Sequence, residues 1–203
     1  MDRKESSGMH NQKNAASEKV ILWPHFILRK PTHQVTDFDE DLTQLSIDLF
    51  LVLQGIEGLG MAAPQIGDRR AVLIYKAEDE QGVMVNPEIV RASVEKEEDM
   101  EGCLSFPGVY INISRHVDID VRFQDLEGQE VTRYFEGKLA RVIQHEMDHL
   151  QGRTIVSYLS KLKRDQITAK MQKLQREIEQ SEKKLRGAKT RALKYAQRMS
   201  KNR

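Results

Sequence analysis

The stretch Gly137-Lys-Leu-Ala-Arg-Val-Ile-Gln-His-Glu-Met-Asp-His-Leu150 holds His145, Glu146 and His149 in the order H-E-x-x-H. Neither Pro nor Gly interrupts it between Lys138 and Leu150, so it reads as a helix. Residues four apart on a helix share a face, and both imidazoles can then reach one ion. Glu146 follows the first His, where a carboxylate can act on a water. The same spacing also fits a helix that merely displays two His and a Glu.

A catalytic zinc-type centre takes three protein ligands and leaves one position open. One extension of the motif adds Gly and then a third His. Here Gly152 is in place, but Ile155 stands where that His would be. Glu177 and Glu179 lie further on, within a repetitive charged segment. Cys103 is the single cysteine and cannot form an internal disulfide. It is left as a free thiol, a nucleophile or a metal ligand. A lone Cys is most often a small buried hydrophobe. Its polar setting, Glu101-Gly-Cys-Leu-Ser105, weighs against that reading.

Three separated motifs together resemble the peptide deformylase family. They are Gly58-Leu-Gly-Met-Ala-Ala-Pro-Gln65, Glu101-Gly-Cys-Leu-Ser105 and Gln144-His-Glu-Met-Asp-His-Leu150 with Gly152 after it. Asn86-Pro87 and Arg115 are weaker matches in the expected order, and the likeness spans residues 20 to 165. The resemblance implies that Cys103, His145 and His149 hold one divalent metal, usually Fe(II), with Zn, Ni or Co able to replace it. It implies that Glu146 shuttles protons. It also implies that the Gln65 side chain and the Leu104 backbone N–H bind the developing oxyanion, and that Gly60 bonds substrate through its backbone. The substrate it implies is the N-terminal formyl-Met of nascent peptides. Two departures stand out. Met61 replaces the usual Leu, and Pro24-His-Phe-Ile-Leu-Arg29 lacks the family's second Pro. Neither touches an implied ligand or oxyanion donor. Met100, just before the Cys motif, is a candidate lining residue of a side-chain pocket.

The residue types suit the chemistry. Hydrolysis of a formamide passes through a tetrahedral species with a negative oxygen, which preorganised donors stabilise. Gln65 can donate through its amide and Leu104 through its main chain. Gly58 and Gly60 lack Cβ atoms, so a peptide backbone can come close, although a G-x-G alone also fits a plain turn.

At 203 residues the chain has enough length for one domain with a core, and residues to spare. Its longest apolar run, Leu49 to Leu53, is far short of the roughly 20 residues of a membrane span. Residues 1–19 are polar and mixed in charge, without an apolar h-region, and are expected to be a disordered extension. Together with the single free Cys, this gives a cytoplasmic expectation. The net charge of +1 hides a split. Residues 161–203 carry 15 Lys or Arg against 4 Asp or Glu, a net +11, and the rest holds 17 against 27, a net −10. An acidic catalytic domain over 20–165 with a basic C-terminal arm over 166–203 is expected.

Between these parts, short strands are expected. Val72-Leu-Ile-Tyr75 and Val83-Met-Val85 are apolar runs, the second stopped by Asn86-Pro87. Residues 109–113, 117–123 and 131–135 are further strands, the first two alternating in polarity, with a hairpin turn at Leu126-Glu-Gly-Gln129. Before them, Leu42, Leu45, Leu49 and Leu53 mark a helix over residues 39–54, with Asp37 or Asp39 as N-cap. Strands grouped between helices give an α+β fold: short, mostly antiparallel strands around a central H-E-x-x-H helix, then a long C-terminal helix.

In the arm, Ile167, Met171, Leu174, Ile178, Ser181, Leu185, Ala188, Ala192, Tyr195 and Met199 alternate in steps of four and three. Its first half is expected to pack on the domain and its more polar second half to be exposed or frayed. Its charge fits docking to ribosomal RNA, or a solvated helix. The resemblance favours the ribosome, and a monomer is expected, although the stripe could also pair two copies. Two other functions compete with deformylation: an H-E-x-x-H metallopeptidase of another type, and an inactive ribosome- or RNA-binding module. Ile155 counts against the first. The joint presence of Glu146, Gln65 and Cys103 counts against the second.

Overall fold

A computed structural model describes residues 20–56, 58–77 and 80–201. The polar extension over 1–19 lies outside the described residues. Helix α1 spans Glu40–Ile56. Asp39 is its cap, accepting the Leu42 backbone N–H on Oδ1 at 3.0 Å. Strands β1 (Gly60–Ala62), β2 (Val72–Lys76), β3 (Gln81–Ala92), β6 (Asp118–Gln124) and β7 (Glu130–Glu136) form an antiparallel sheet in the order β1-β2-β3-β6-β7. Strands β4 (Lys96–Gly102) and β5 (Tyr110–His116) pair as a separate two-stranded ribbon. Helix α2 (Gly137–Leu150) follows the strands, and α3 (Lys161–Lys201) ends the described chain.

The sheet separates two helices. Along β2, Val72 and Ile74 pack toward α1 with Leu42, Leu45, Leu49 and Leu53. Leu73 and Tyr75 pack toward α2 with Ala140, Ile143, Met147 and Leu150. Alternate residues point to opposite faces of a strand, so a run buried throughout signals a sheet covered on both sides. A third cluster gathers Trp23, Phe106, Ile111, Ile113, Ile155 and Met171 beside the β4–β5 ribbon. The α+β expectation holds. No helix among the described residues is long and apolar enough to cross a membrane.

One strand expectation needs correction, and one strand was not expected. Asn86-Pro87 does not stop β3, which runs on to Ala92. The register to β6 shifts between Val85 and Glu88, and this irregularity accommodates Pro, which has no N–H for the ladder. Asn86 sits at φ 53° and stitches the bend. Its side chain accepts from the Val35 N–H at 2.8 Å and donates to the Val35 carbonyl at 2.9 Å. The unexpected strand is β4. Its sequence, Lys-Glu-Glu-Asp-Met-Glu-Gly, lacks an apolar alternation, and its strand character comes from pairing with β5. That pairing buries Glu101 and leaves the other side chains exposed.

The arm is not frayed over its described length: α3 is continuous to Lys201. Its first turns pack on the domain, as the stripe predicts. Met171 is fully buried, and Ile167 and Leu174 pack against the third cluster. The Trp23 indole N–H donates to Thr168 Oγ1 at 2.9 Å, and Lys170 Nζ donates to the Gly108 carbonyl at 3.0 Å. Further on, Leu185 and Leu193 are exposed.

Candidate metal centre

Helix α2 carries the centre. Gln144 fixes its position by bonding the His116 backbone twice: Oε1 accepts from N–H at 3.1 Å and Nε2 donates to the carbonyl at 2.9 Å. One turn of helix then presents His145 and His149 on a common face, their ring centres 5.2 Å apart. Cys103 comes from the loop after β4, and its Sγ lies 3.3 Å from His149 Nε2. Ligand atoms of Cys103, His145 and His149 all fall within 4.8 Å of one another. Among the described residues this is the one group of three such side chains placed to share an ion. Glu177 and Glu179 belong to α3 and do not join it. Ile155 is buried in the third cluster, so apolar packing occupies the position where the longer motif would have its His.

His145 is held from behind. Its Nδ1 lies 2.8 Å from Glu101 Oε2. Glu101 also receives both arms of Arg115, at 2.9 Å each, and Arg141 at 3.0 Å. Arg115 turns its other nitrogen to Asp148 at 2.6 Å, and Asp148 accepts from the Tyr158 hydroxyl at 2.6 Å and from Arg153 at 2.6 Å. A buried ion pair gains little net stability, because desolvation offsets the attraction. What this network contributes is position: it ties β4, β5 and α2 together behind the ligands. Burial alone would raise the Glu101 carboxyl, but the Arg115 and His145 hydrogen bonds outweigh it and hold the group at about 2.

Gln65, in the 3-10 turn after β1, is buried. Its Oε1 accepts the Ala62 N–H at 2.9 Å, which turns the amide nitrogen toward Cys103 Sγ at 3.7 Å and Ser105 Oγ at 3.4 Å. Gly60 faces Glu146 across the cleft. A Cβ there would sit 2.8 Å from Glu146 Oε1 and 2.8 Å from Val142 Cγ1, so only Gly fits without displacement. Leu104 follows Cys103 and lines the same cleft, as do Gly60, Gln65, His145 and Glu146. Met100 lines it too, although it is mostly exposed. Met61, the departure from the usual Leu, is fully buried in the first cluster.

The donor set can be tested against what it would hold. One sulfur and two imidazole nitrogens from a loop and a helix suit a tetrahedral zinc- or iron-type site with an open position. Burial and neighbouring charge shift the two imidazoles in opposite directions. Burial opposes charge on His145, yet Cys103 and Glu101 outweigh it and raise this imidazole well above its ordinary range. Burial, with the positive His145 and Arg115 nearby, pushes His149 well below it. Glu146 is buried, its Oε2 has no hydrogen-bond partner among the described residues, and burial lifts its carboxyl to about 7. A carboxyl near neutrality can both accept and return a proton. The residues present fit a divalent metal with an acid–base group beside it.

Glu101, Arg115 and Asp148 shape the centre, yet the motifs assign a role to none of them. Glu101 was visible as the first letter of the Cys motif and Asp148 as the fourth of the His motif. Nothing in the spacing shows that one Arg would bridge them.

Fold and site together are those of a hydrolase of a metal-dependent family, with a Cys/His/His group that could hold an ion. The model of the polypeptide deformylase family matches residues 17–165. A peptide deformylase-like protein of Brucella melitensis is 39% identical over 159 residues, covering 77% of this chain and 97% of that protein. A peptide deformylase of Desulfotalea psychrophila is 37% identical over 161 residues, covering 76% and 95%. The solved peptide deformylase of Ehrlichia chaffeensis in complex with actinonin superposes with a TM-score of 0.76 at 34% identity, covering 78% of this chain and 97% of that one. The chain belongs to the peptide deformylase family.

Proposed function

We propose that this protein hydrolyses the formyl group from the N-terminal formyl-Met of newly made peptides. The observation that carries the reading is Glu146 Oε2, which has no hydrogen-bond partner among the described residues, in the cleft that Cys103 and His145 line. Cys103, His145 and His149 would hold the ion, with Fe(II) the preferred occupant and Zn, Ni or Co alternatives. A divalent metal bound there would supply Lewis acidity and lower the pKa of a water to about 7.

The chain's own residues supply the rest. Glu146 takes the proton of the attacking water as its oxygen bonds to the formyl carbon. The Gln65 amide and the Leu104 backbone N–H donate to the oxygen that becomes negative, each worth about 3 kcal/mol by comparison with other oxyanion donors. When the C–N bond breaks, Glu146 returns the proton to the leaving amine, and formate and a free N-terminus result. Gly60 leaves room for the peptide beside Glu146 and bonds it through its backbone. Residues 20–165 are the catalytic domain and 166–203 the basic arm, which docks on the ribosome. The protein acts in the cytoplasm as a monomer.

The test is release of formate from formyl-Met-Ala-Ser by protein kept under anaerobic conditions with Fe(II), beside cleavage of an internal peptide bond. Formate release without internal cleavage supports the reading. Internal cleavage without formate points to a different metallopeptidase. Neither activity in metal-replete protein points to an inactive binding module.

A further inference from the structure

The family match ends at residue 165, yet residues of α3 beyond it line the catalytic cleft. Ile178, Ser181 and Leu185 share this cleft with Cys103, Glu146 and Gly60. Their placement follows from the stripe on α3. Met171 and Leu174 on that stripe pack against the domain, and the next stripe residues are Ile178, Ser181 and Leu185. The helix therefore leaves the core and carries the same face over the cleft. Gln175 Nε2 donates to the Leu22 carbonyl at 3.3 Å, just before the helix departs.

Two apolar side chains are left exposed there, Ile178 at 38% and Leu185 at 71%. Across the cleft, Met100 and Tyr110 of the β4–β5 ribbon are exposed at 62% and 66%. The whole cleft, from the centre to this outer part, has a volume of about 1370 Å³, above the range of about 300–1,000 Å³ typical of a pocket for one small ligand. Residues 177–185 advance about 12 Å along the helix axis. An extended peptide covers that distance with about four residues.

We propose that residues 177–185 of α3 form an outer wall of the substrate cleft, which holds the apolar side chains of the peptide that follow the formyl-Met. The occupant is the substrate's own continuation, because this wall is continuous with the centre that holds the formyl end. The inference rests on the deformylase reading. It assigns to the arm a part in choosing long substrates, distinct from any part in docking.

The experiment compares kcat/KM for formyl-Met-Ala and for formyl-Met-Ala-Leu-Leu-Lys, in the full-length Fe(II) protein and in Ile178→Ser with Leu185→Ser. Both positions are exposed, and circular dichroism checks the fold. The pentapeptide-to-dipeptide ratio should fall by about tenfold in the double variant, a loss carried by KM. Inhibition by the N-acetyl forms of the two peptides, which shares the binding step but not the chemistry, should show the same change in ratio. An unchanged ratio in both measurements overturns the wall. So does a concentration-dependent mass that the double variant abolishes without altering the ratio, since the stripe would then be a contact between two copies. If wild type releases no formate from either peptide, the deformylase reading fails instead. The N-acetyl ratio still judges the wall.

Discussion

Glu101 Oε2 lies 2.8 Å from His145 Nδ1, and this contact decides which imidazole nitrogen is left for the cluster. With Nδ1–H donating to the carboxylate, Nε2 is free to act as ligand. Carboxylate partners of this kind fix the tautomer and raise the basicity of a ligating His. Here the carboxylate is itself gripped by Arg115 and Arg141, so the ring has little freedom.

Replacing Glu101 by Gln keeps the shape and removes the charge. Metal affinity should fall by about 10- to 100-fold, as for other partners of ligating His. Competition with a chelator measures it. An affinity equal to wild type would show that Glu101 only packs.

Cys103→Ala removes the one sulfur near both His. Metal content after purification should drop well below one ion per chain, together with turnover. Full occupancy by elemental analysis would remove Cys103 from the ligand set. Cys103→Ser is a weaker test, since its oxygen can retain some metal.

Glu146→Gln should keep metal and fold and lose about 10² to 10⁴ in kcat, the usual scale of a general acid–base group. Near-wild-type turnover at neutral pH in a metal-replete sample excludes Glu146 as the proton carrier.

Gly60→Ala probes the close approach of β1 to α2. The added methyl would lie 2.8 Å from Glu146 Oε1, so the carboxylate must move. Misplacing a catalytic group by about 1 Å can cost of the order of 10²-fold in rate. Turnover should fall on that scale, and the second clash, with Val142 Cγ1 at 2.8 Å, should lower the melting temperature by roughly a few degrees. A variant as active as wild type would mean that Glu146 has room to spare.

Ending the chain after Gly187 removes Lys189, Arg191, Lys194, Arg198, Lys201 and Arg203 and no acidic residue. It leaves residues 177–185 and the packed turns around Met171 in place. Binding to ribosomes should weaken, and the salt dependence should become shallower, because fewer counterions are released. Sedimentation with ribosomes at two salt concentrations measures both. Identical binding by the two chains at both salts would end the docking proposal.

The sequence by itself determined the local chemistry. His145 and His149 lie on one helical face because a helix repeats every 3.6 residues, and no breaker interrupts it. The leucines of α1 and the stripe of α3 were legible for the same reason. Alternating polarity gave away β6, whose inward residues Ile119, Val121 and Phe123 are buried. The tertiary structure alone decided β4, the passage of β3 through Asn86-Pro87, and the bridge by which Arg115 joins Glu101 to Asp148. It also decided that α3 reaches the cleft. Periodicity records which side of an element meets the core. It carries no information on which distant side chains then meet each other, because those distances are set by strand pairing and helix packing across the whole chain.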